Sequence, residues 1–289
     1  MKSCFILFGI LFSILYSTNT FGQSDSTILV YPNKILSPSI MYRNFNLQLD
    51  TTSFQNQSLS LGVRLRFKKF AIGISVPILD NKELGGIEDT KTIGINGDVF
   101  GQQHSIHITA RYYDVFSNGF ELKTTQPIGY LHLQSSHILN KSFSYRSAYR
   151  LFDQQLISKG GFSVSPEIFY YYVSPNQTFI NTASHLMQLR TNLGYAHNFI
   201  LKEHYFLSFY LNTGYAFDFQ RENQNTELSS SHFTWLTNAK MAFGYQNEKI
   251  AWSLIANYTP SQFRTNNFKT SNFYIGFLIG LRLDSTFKE

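Results

Sequence analysis

One stretch restricts the fold more than any other: Ser58 to Ile78, written SLSLGVRLRFKKFAIGISVPI. Leu59, Leu61, Val63, Leu65 and Phe67 share one parity; Ser58, Ser60, Gly62, Arg64 and Arg66 share the other. Successive side chains of a strand point to opposite faces, so a strict period of two marks a strand with a different solvent on each side. After Lys68-Lys69 the pattern resumes, with Phe70, Ile72, Ile74 and Val76 set against Ala71, Gly73, Ser75 and Pro77. Two strands joined by so few residues form an antiparallel hairpin. One such hairpin suits a soluble sandwich as well as a membrane barrel, so the rest of the chain must decide.

The rest of the chain repeats the unit. Further strands are expected over residues 42–50, 92–101, 105–116, 142–151, 162–173, 189–200, 205–219, 233–245, 250–259 and 272–284, with 127–139 ambiguous. In the first of these, Phe45, Leu47 and Leu49 read as the apolar face and Asn44, Asn46 and Gln48 as the polar one. Tight turns fall near residues 68, 102, 202 and 247, and long polar loops near 54, 85, 179, 225 and 265. Counting every candidate gives thirteen strands. Treating 117–140 as an outward excursion gives an even count of twelve, with ten or fourteen as alternatives. Gly85-Gly86 reads as a turn, because no helix follows it to make a phosphate loop.

Composition separates barrel from sandwich. The chain holds 28 Phe and 18 Tyr, and only 15% of it is charged, against about 25% in ordinary soluble domains. No apolar run beyond the N-terminus approaches the roughly 18 residues of a membrane helix. Few charges and many aromatics without membrane helices suit an outer-membrane barrel, which is apolar outside with aromatic girdles and polar inside. The expected fold is therefore all-β, a closed antiparallel transmembrane barrel. The net charge of +6 is modest and scattered, which argues against a nucleic-acid partner.

Residues 1–22 read as a cleaved secretory signal: Lys2, an apolar run from Phe5 to Tyr16, then Thr20-Phe21-Gly22. Residues 23–289 then make a single barrel domain in the outer membrane of a Gram-negative bacterium, both termini periplasmic. Cys4 is the sole cysteine, so a mature chain without it has no disulfide and no cysteine metal site.

If the apolar parity faces lipid, the opposite parity lines the lumen. That assigns inward Arg64, Arg66, Arg111, Arg146, Arg150, Arg190, Lys240 and Arg282, together with Asp98, Glu167 and Asp218. Such charges must be paired or hydrated. They form either an ion-pair network that fills the barrel or a basic pore wall that favours anions. Candidate Ser-His neighbours (His104-Ser105, Ser117-Asn118, Ser135-Ser136-His137) and the carboxylates Asp114 and Glu121 are what chance supplies in this composition, so no catalytic, cofactor or metal residue is assigned. His104 and His107 are three apart on a strand and point to opposite faces.

The run NKSFSYRSAYRLFDQQLISKGGFSV from Asn140 resembles a family of uncharacterised outer-membrane proteins from Bacteroidota, known as a domain of unknown function. The segments Leu59 to Val63, Lys69 to Pro77, Gly97 to Phe100 and Leu193 to Ala196 share the resemblance. It implies a barrel and supplies no activity. Many outer-membrane barrels end on Phe; here Lys288 and Glu289 follow Phe287. The roles left open are a pore for small anionic solutes, a barrel binding a surface ligand through its outer loops, and a membrane-embedded hydrolase. Outer-membrane lipid is the partner common to all three.

Overall fold

The computed structural model describes residues 28–283 except 31–33, 50–51, 68, 81–82, 85–91, 101–102, 114–116, 119–127, 145–146, 148, 150–152, 175–183, 203, 223–224 and 264–267. The signal segment, Gly85-Gly86, Asp114, Glu121, Arg146, Arg150 and Phe287 lie outside the described residues.

Among the described residues fifteen strands follow one another: β1 Ile28–Val30, β2 Lys34–Leu49, β3 Thr52–Phe67, β4 Phe70–Leu79, β5 Thr92–Phe100, β6 His104–Tyr113, β7 Ser117–Asn118, β8 Ile128–Ile138, β9 Asp153–Gln155, β10 Lys159–Val173, β11 Ser184–Leu201, β12 Tyr205–Glu222, β13 Asn225–Gln246, β14 Ile250–Phe263 and β15 Phe268–Arg282. Twelve of them make the wall. Each pairs antiparallel with its neighbours in chain order, and β2 pairs with both β3 and β15, so the sheet closes on itself. The short β7 adds to the edge of β3. Closure leaves the sheet without an edge strand, which a sheet surrounded by hydrocarbon requires.

The sidedness of the opening hairpin holds. Leu61, Val63, Leu65 and Phe67 on β3, and Phe70, Ile72, Ile74 and Val76 on β4, stand on the exposed outer surface, whereas Ser58, Ser60 and Arg66 are buried within. Leu193, Leu211, Met241, Leu254 and Phe277 continue the apolar belt around the barrel. Aromatic pairs flank it. Tyr205 and Tyr245 meet at 5.2 Å beside the tight turns. Tyr215–Phe217 and Phe233–Trp235 do so towards the opposite rim, at 5.2 and 5.0 Å.

Three expectations are corrected. The count of twelve is right, but it is reached through different strands. Residues 128–138 form a wall strand, β8, and the described residues of 142–151 do not. Ser144 acts as a helix cap there: its Oγ accepts from the Ser147 amide at 3.2 Å, while the Ser147 hydroxyl donates back to the Ser144 carbonyl at 3.0 Å. Such side-chain bonds offer the backbone an alternative to a ladder. Next, β2 is inverted at its far end: Phe45 and Leu47 are buried inside, and Asn46 and Gln48 face out. Finally, the described residues of the polar stretches near 54, 225 and 265 are paired strand. Ladder pairs such as Leu49↔Thr52, Glu222↔Asn225 and Phe263↔Phe268 carry three hairpins to within a few residues of their tips. Polarity there reflects a wall that rises past the apolar belt.

Candidate functional site

The interior is the site, and it is built in three layers. At the rim formed by the hairpin tips lies an apolar layer. Phe45 of β2 stacks on Tyr113 of β6 at 4.7 Å, although three strands separate them in the wall. Tyr171 packs against Phe263 and Phe268 at 5.8 and 5.4 Å, and its hydroxyl hydrogen-bonds Thr270 at 3.0 Å. Contacts between strands this far apart in the sheet mean that side chains reach across the lumen and narrow it at this level.

The middle layer is polar and charged. Asp98 accepts from the His107 ring at 2.7 Å and sits 3.7 Å from the Arg64 guanidinium. Glu167 accepts from Gln134 at 2.7 Å, with the His132 ring 3.9 Å away. The Phe169 ring is held between the His132 ring, stacked at 4.2 Å, and the Arg190 guanidinium at 4.4 Å. A cation over a desolvated aromatic face is stabilised by about 2 kcal/mol. Arg190 donates to Gln188 at 2.5 Å, and Gln188 donates to Asp218 at 2.5 Å. Asp218 also accepts from Ser230 at 2.7 Å and lies 3.5 Å from His232. Gln188 reaches Ser261 and the Gln262 carbonyl on β14, two strands beyond its neighbour β12. The network therefore crosses the lumen as well as following the wall.

The third layer is a segment of the chain itself. The described residues of 140–157, between β8 and β10, fold into the barrel at the end that carries the tight turns. Phe143 and Tyr149 are each 1% exposed and pack with Ile138, Ala196, Phe206, Tyr210, Ala242 and Ile255 of the wall. Asn198 is the main anchor. Its amide donates to the Ser144 carbonyl, to Ser147 Oγ and to Gln155 Oε1 at 3.0, 3.3 and 2.8 Å, and its carbonyl accepts from Ser208 at 2.5 Å. Gln246 donates to the Ser147 carbonyl, and Tyr149 to the Lys240 carbonyl at 3.4 Å. Gln155 ties the segment to itself through Ser142, Ser144 and Ile157. The two-stranded sheet β1–β9 brings the N-terminal chain to this same segment.

Close approach of the wall is made possible by glycine at two inward positions. Gly194 faces Asn212 and Gly214 faces Asn192 across β11 and β12. A Cβ on either glycine would overlap the facing carboxamide and crowd the opposing backbone carbonyl.

Of the residues singled out by parity, Arg66, Asp98, Arg111, Glu167, Arg190, Asp218, Lys240 and Arg282 are buried on the inner face, and Arg64 is half-buried there. The structure joins Arg64 to Asp98, and links Arg190 to Asp218 through Gln188. Sequence reasoning missed Arg43, His107, His132 and Gln188. Arg43 follows from the inversion of β2: it shares the parity of Phe45, which was read as facing lipid. As for the Ser-His neighbours, the rings of His104 and His137, on adjacent strands, lie 4.1 Å apart and tilted by 31°, and Ser136 accepts from Ser165 at 3.1 Å.

A closed antiparallel barrel, apolar and aromatic-flanked outside and polar within, defines a transmembrane β-barrel. The chain belongs to the family described as Domain of unknown function (DUF4421), which it matches over residues 24–281. No curated protein matches it. Among solved structures it is similar to an outer membrane channel from Pseudomonas putida F1, at 9% identity over 90% of this chain and 99% of that one, TM-score 0.41. It is also similar to the translocator domain of the autotransporter NalP from Neisseria meningitidis, at 9% identity over 97% and 96%, TM-score 0.42. Similarity at this level transfers neither activity.

Proposed function

We propose that the protein is an outer-membrane β-barrel of a Gram-negative bacterium, shut at rest, that serves as a gated route for small anionic solutes. The hairpin end faces outward and the end with the tight turns and both chain termini faces the periplasm, the usual sidedness of such barrels. The observation that carries the reading is the segment between β8 and β10, whose described residues are held inside the lumen. It hangs from β8 and β10 and is fastened by hydrogen bonds to single polar side chains, chiefly Asn198 and Gln246, over a few buried aromatics. Net hydrogen bonds contribute only about 0.5–1.5 kcal/mol each, so a closure of this construction can be displaced without unfolding the wall. The surplus of arginine and lysine inside gives the passage its preference for anions.

The test is an osmotic one. Proteoliposomes holding the wild-type protein are expected to stay tight to chloride. Asn198→Leu, which removes three hydrogen bonds to the plug, is expected to leak chloride faster than potassium. Wild-type vesicles as leaky as those with an open porin would contradict the closed state, and a cation-selective leak in the variant would contradict the anion preference.

A further inference from the structure

Between the apolar layer and the plug lies a cavity of about 80 Å³. Arg43, Arg64, Arg111 and Lys240 line it, and no carboxylate does among the described residues. Arg64 has its partner in Asp98, set behind the lining. Arg43 and Arg111 differ. They are 6% and 8% exposed, and neither has a carboxylate partner among the described residues. Arg43 spends its terminal nitrogens on neutral atoms, Ser75 Oγ at 3.3 Å and Met41 Sδ at 3.6 Å, and its Nε makes no hydrogen bond. Arg111 leaves Nε and Nη1 without an acceptor.

Two buried guanidinium groups without a counter-charge, on one cavity, are an unfavourable arrangement unless something anionic completes it. Guanidinium donors match the oxygens of carboxylate and phosphate groups. The volume exceeds the 10–15 Å³ or so that one water needs and suits one small oxyanion. Asn238 and Asn257, which line the same cavity, each present a carboxamide oxygen with no donor. An oxyanion that keeps a proton, such as hydrogenphosphate, supplies that donor; sulfate does not.

We infer that this cavity is a binding site for one small protonated oxyanion of the phosphate class, held by Arg43 and Arg111. The inference rests on the closed, basic interior proposed above, and it names what that interior holds. The probe is inorganic phosphate, added to the full-length protein in detergent at 0.3 M sodium chloride or so, where weak attraction to exposed surface charge is largely screened. Phosphate is expected to raise the thermal unfolding midpoint of the wild type saturably, and sulfate to do so less. Arg43→Gln and Arg111→Gln should each weaken phosphate binding by about 10–100-fold, the loss of a charged hydrogen-bonding partner. Arg66→Gln, on the inner face but outside the cavity lining, should leave it unchanged. Folding of each variant is checked by the heat-dependent gel mobility of the barrel. Should the glutamine variants not fold, saturation-transfer phosphorus resonance on the wild type alone decides. No binding by the wild type, or equal binding by folded Arg43→Gln and Arg111→Gln, overturns the site. If the wild type is silent in bilayers yet binds no phosphate, only the site falls. If it conducts freely, the closed state falls first.

Discussion

Replacing residues 141–156 with a short Gly-Ser linker is expected to turn a silent barrel into a conducting one. In planar bilayers the wild type should show no discrete current steps, and the shortened chain should show steps with anion selectivity. The argument is geometric. Phe143 and Tyr149 fill the barrel at the end with the tight turns, and the segment's bonds run to side chains on β11 and β13. Its excision touches no wall strand, because β8 ends at Ile138 and β10 begins at Lys159. The wall keeps its complete set of ladder bonds, so the variant should fold. What it loses is the lower third of the filling, and water reaches the charged layer. Selectivity should follow from Arg64, Arg111, Lys240 and Arg282, which then face a wet lumen. A shortened chain that folds, by its heat-dependent gel mobility, and still carries no current would show that the apolar layer around Phe45, Tyr113 and Tyr171 closes the barrel by itself.

The second large effect is on stability. Asp218→Ala should destabilise the folded barrel by about 3–5 kcal/mol, as removal of one partner from a buried charged network does. Asp218 is fully buried and accepts from Gln188 and Ser230, with His232 at 3.5 Å. Its loss leaves Gln188 with one fewer acceptor and removes the carboxylate that Gln188 links to Arg190. Urea titration of the protein folded in lipid vesicles measures this directly. Gln188→Ala should be non-additive with it, because neighbours in one network couple. A change under about 1 kcal/mol, the size of an exposed ion pair, would mean that Asp218 is hydrated and that the middle layer is open to water.

Much of this was legible in the sequence, and the failures have definite causes. Alternation over Ser58 to Ile78 fixes strands with one apolar face, and the shortage of charge fixes hydrocarbon as the solvent on that face. Both readings hold wherever the interior is polar. They break where the interior is apolar too. At Phe45 and Leu47 the lumen itself is lined with Phe and Tyr, so parity of hydrophobicity no longer tells inside from outside; Arg43 was lost to that ambiguity. The segment from Asn140 misled for a different reason. Phe143, Tyr145 and Tyr149 look like a strand row with one gap at Ser147, yet Ser144 and Ser147 bond to each other and turn the backbone. Only the cap chemistry, three residues apart, marked it. The contacts that close the interior, Phe45 with Tyr113 and Gln188 with Ser261, join residues 68 and 73 positions apart. No periodicity encodes which of many inward aromatics will meet across a lumen; that follows from barrel closure.

Thiol accessibility decides the central claim, that lipid bathes the outer row while no solvent path runs through the inside. With Cys4→Ser as background, single cysteines at Ser165 and Ser253, both fully buried on the inner face, and at Leu211 on the outer face are introduced into the full chain. In lipid vesicles the account predicts that all three escape a water-soluble maleimide and become reactive in urea, and that only a fluorophore at residue 211 is quenched by spin-labelled lipid. Rapid labelling at residues 165 and 253 in the folded protein would show a continuous aqueous pore and contradict the account.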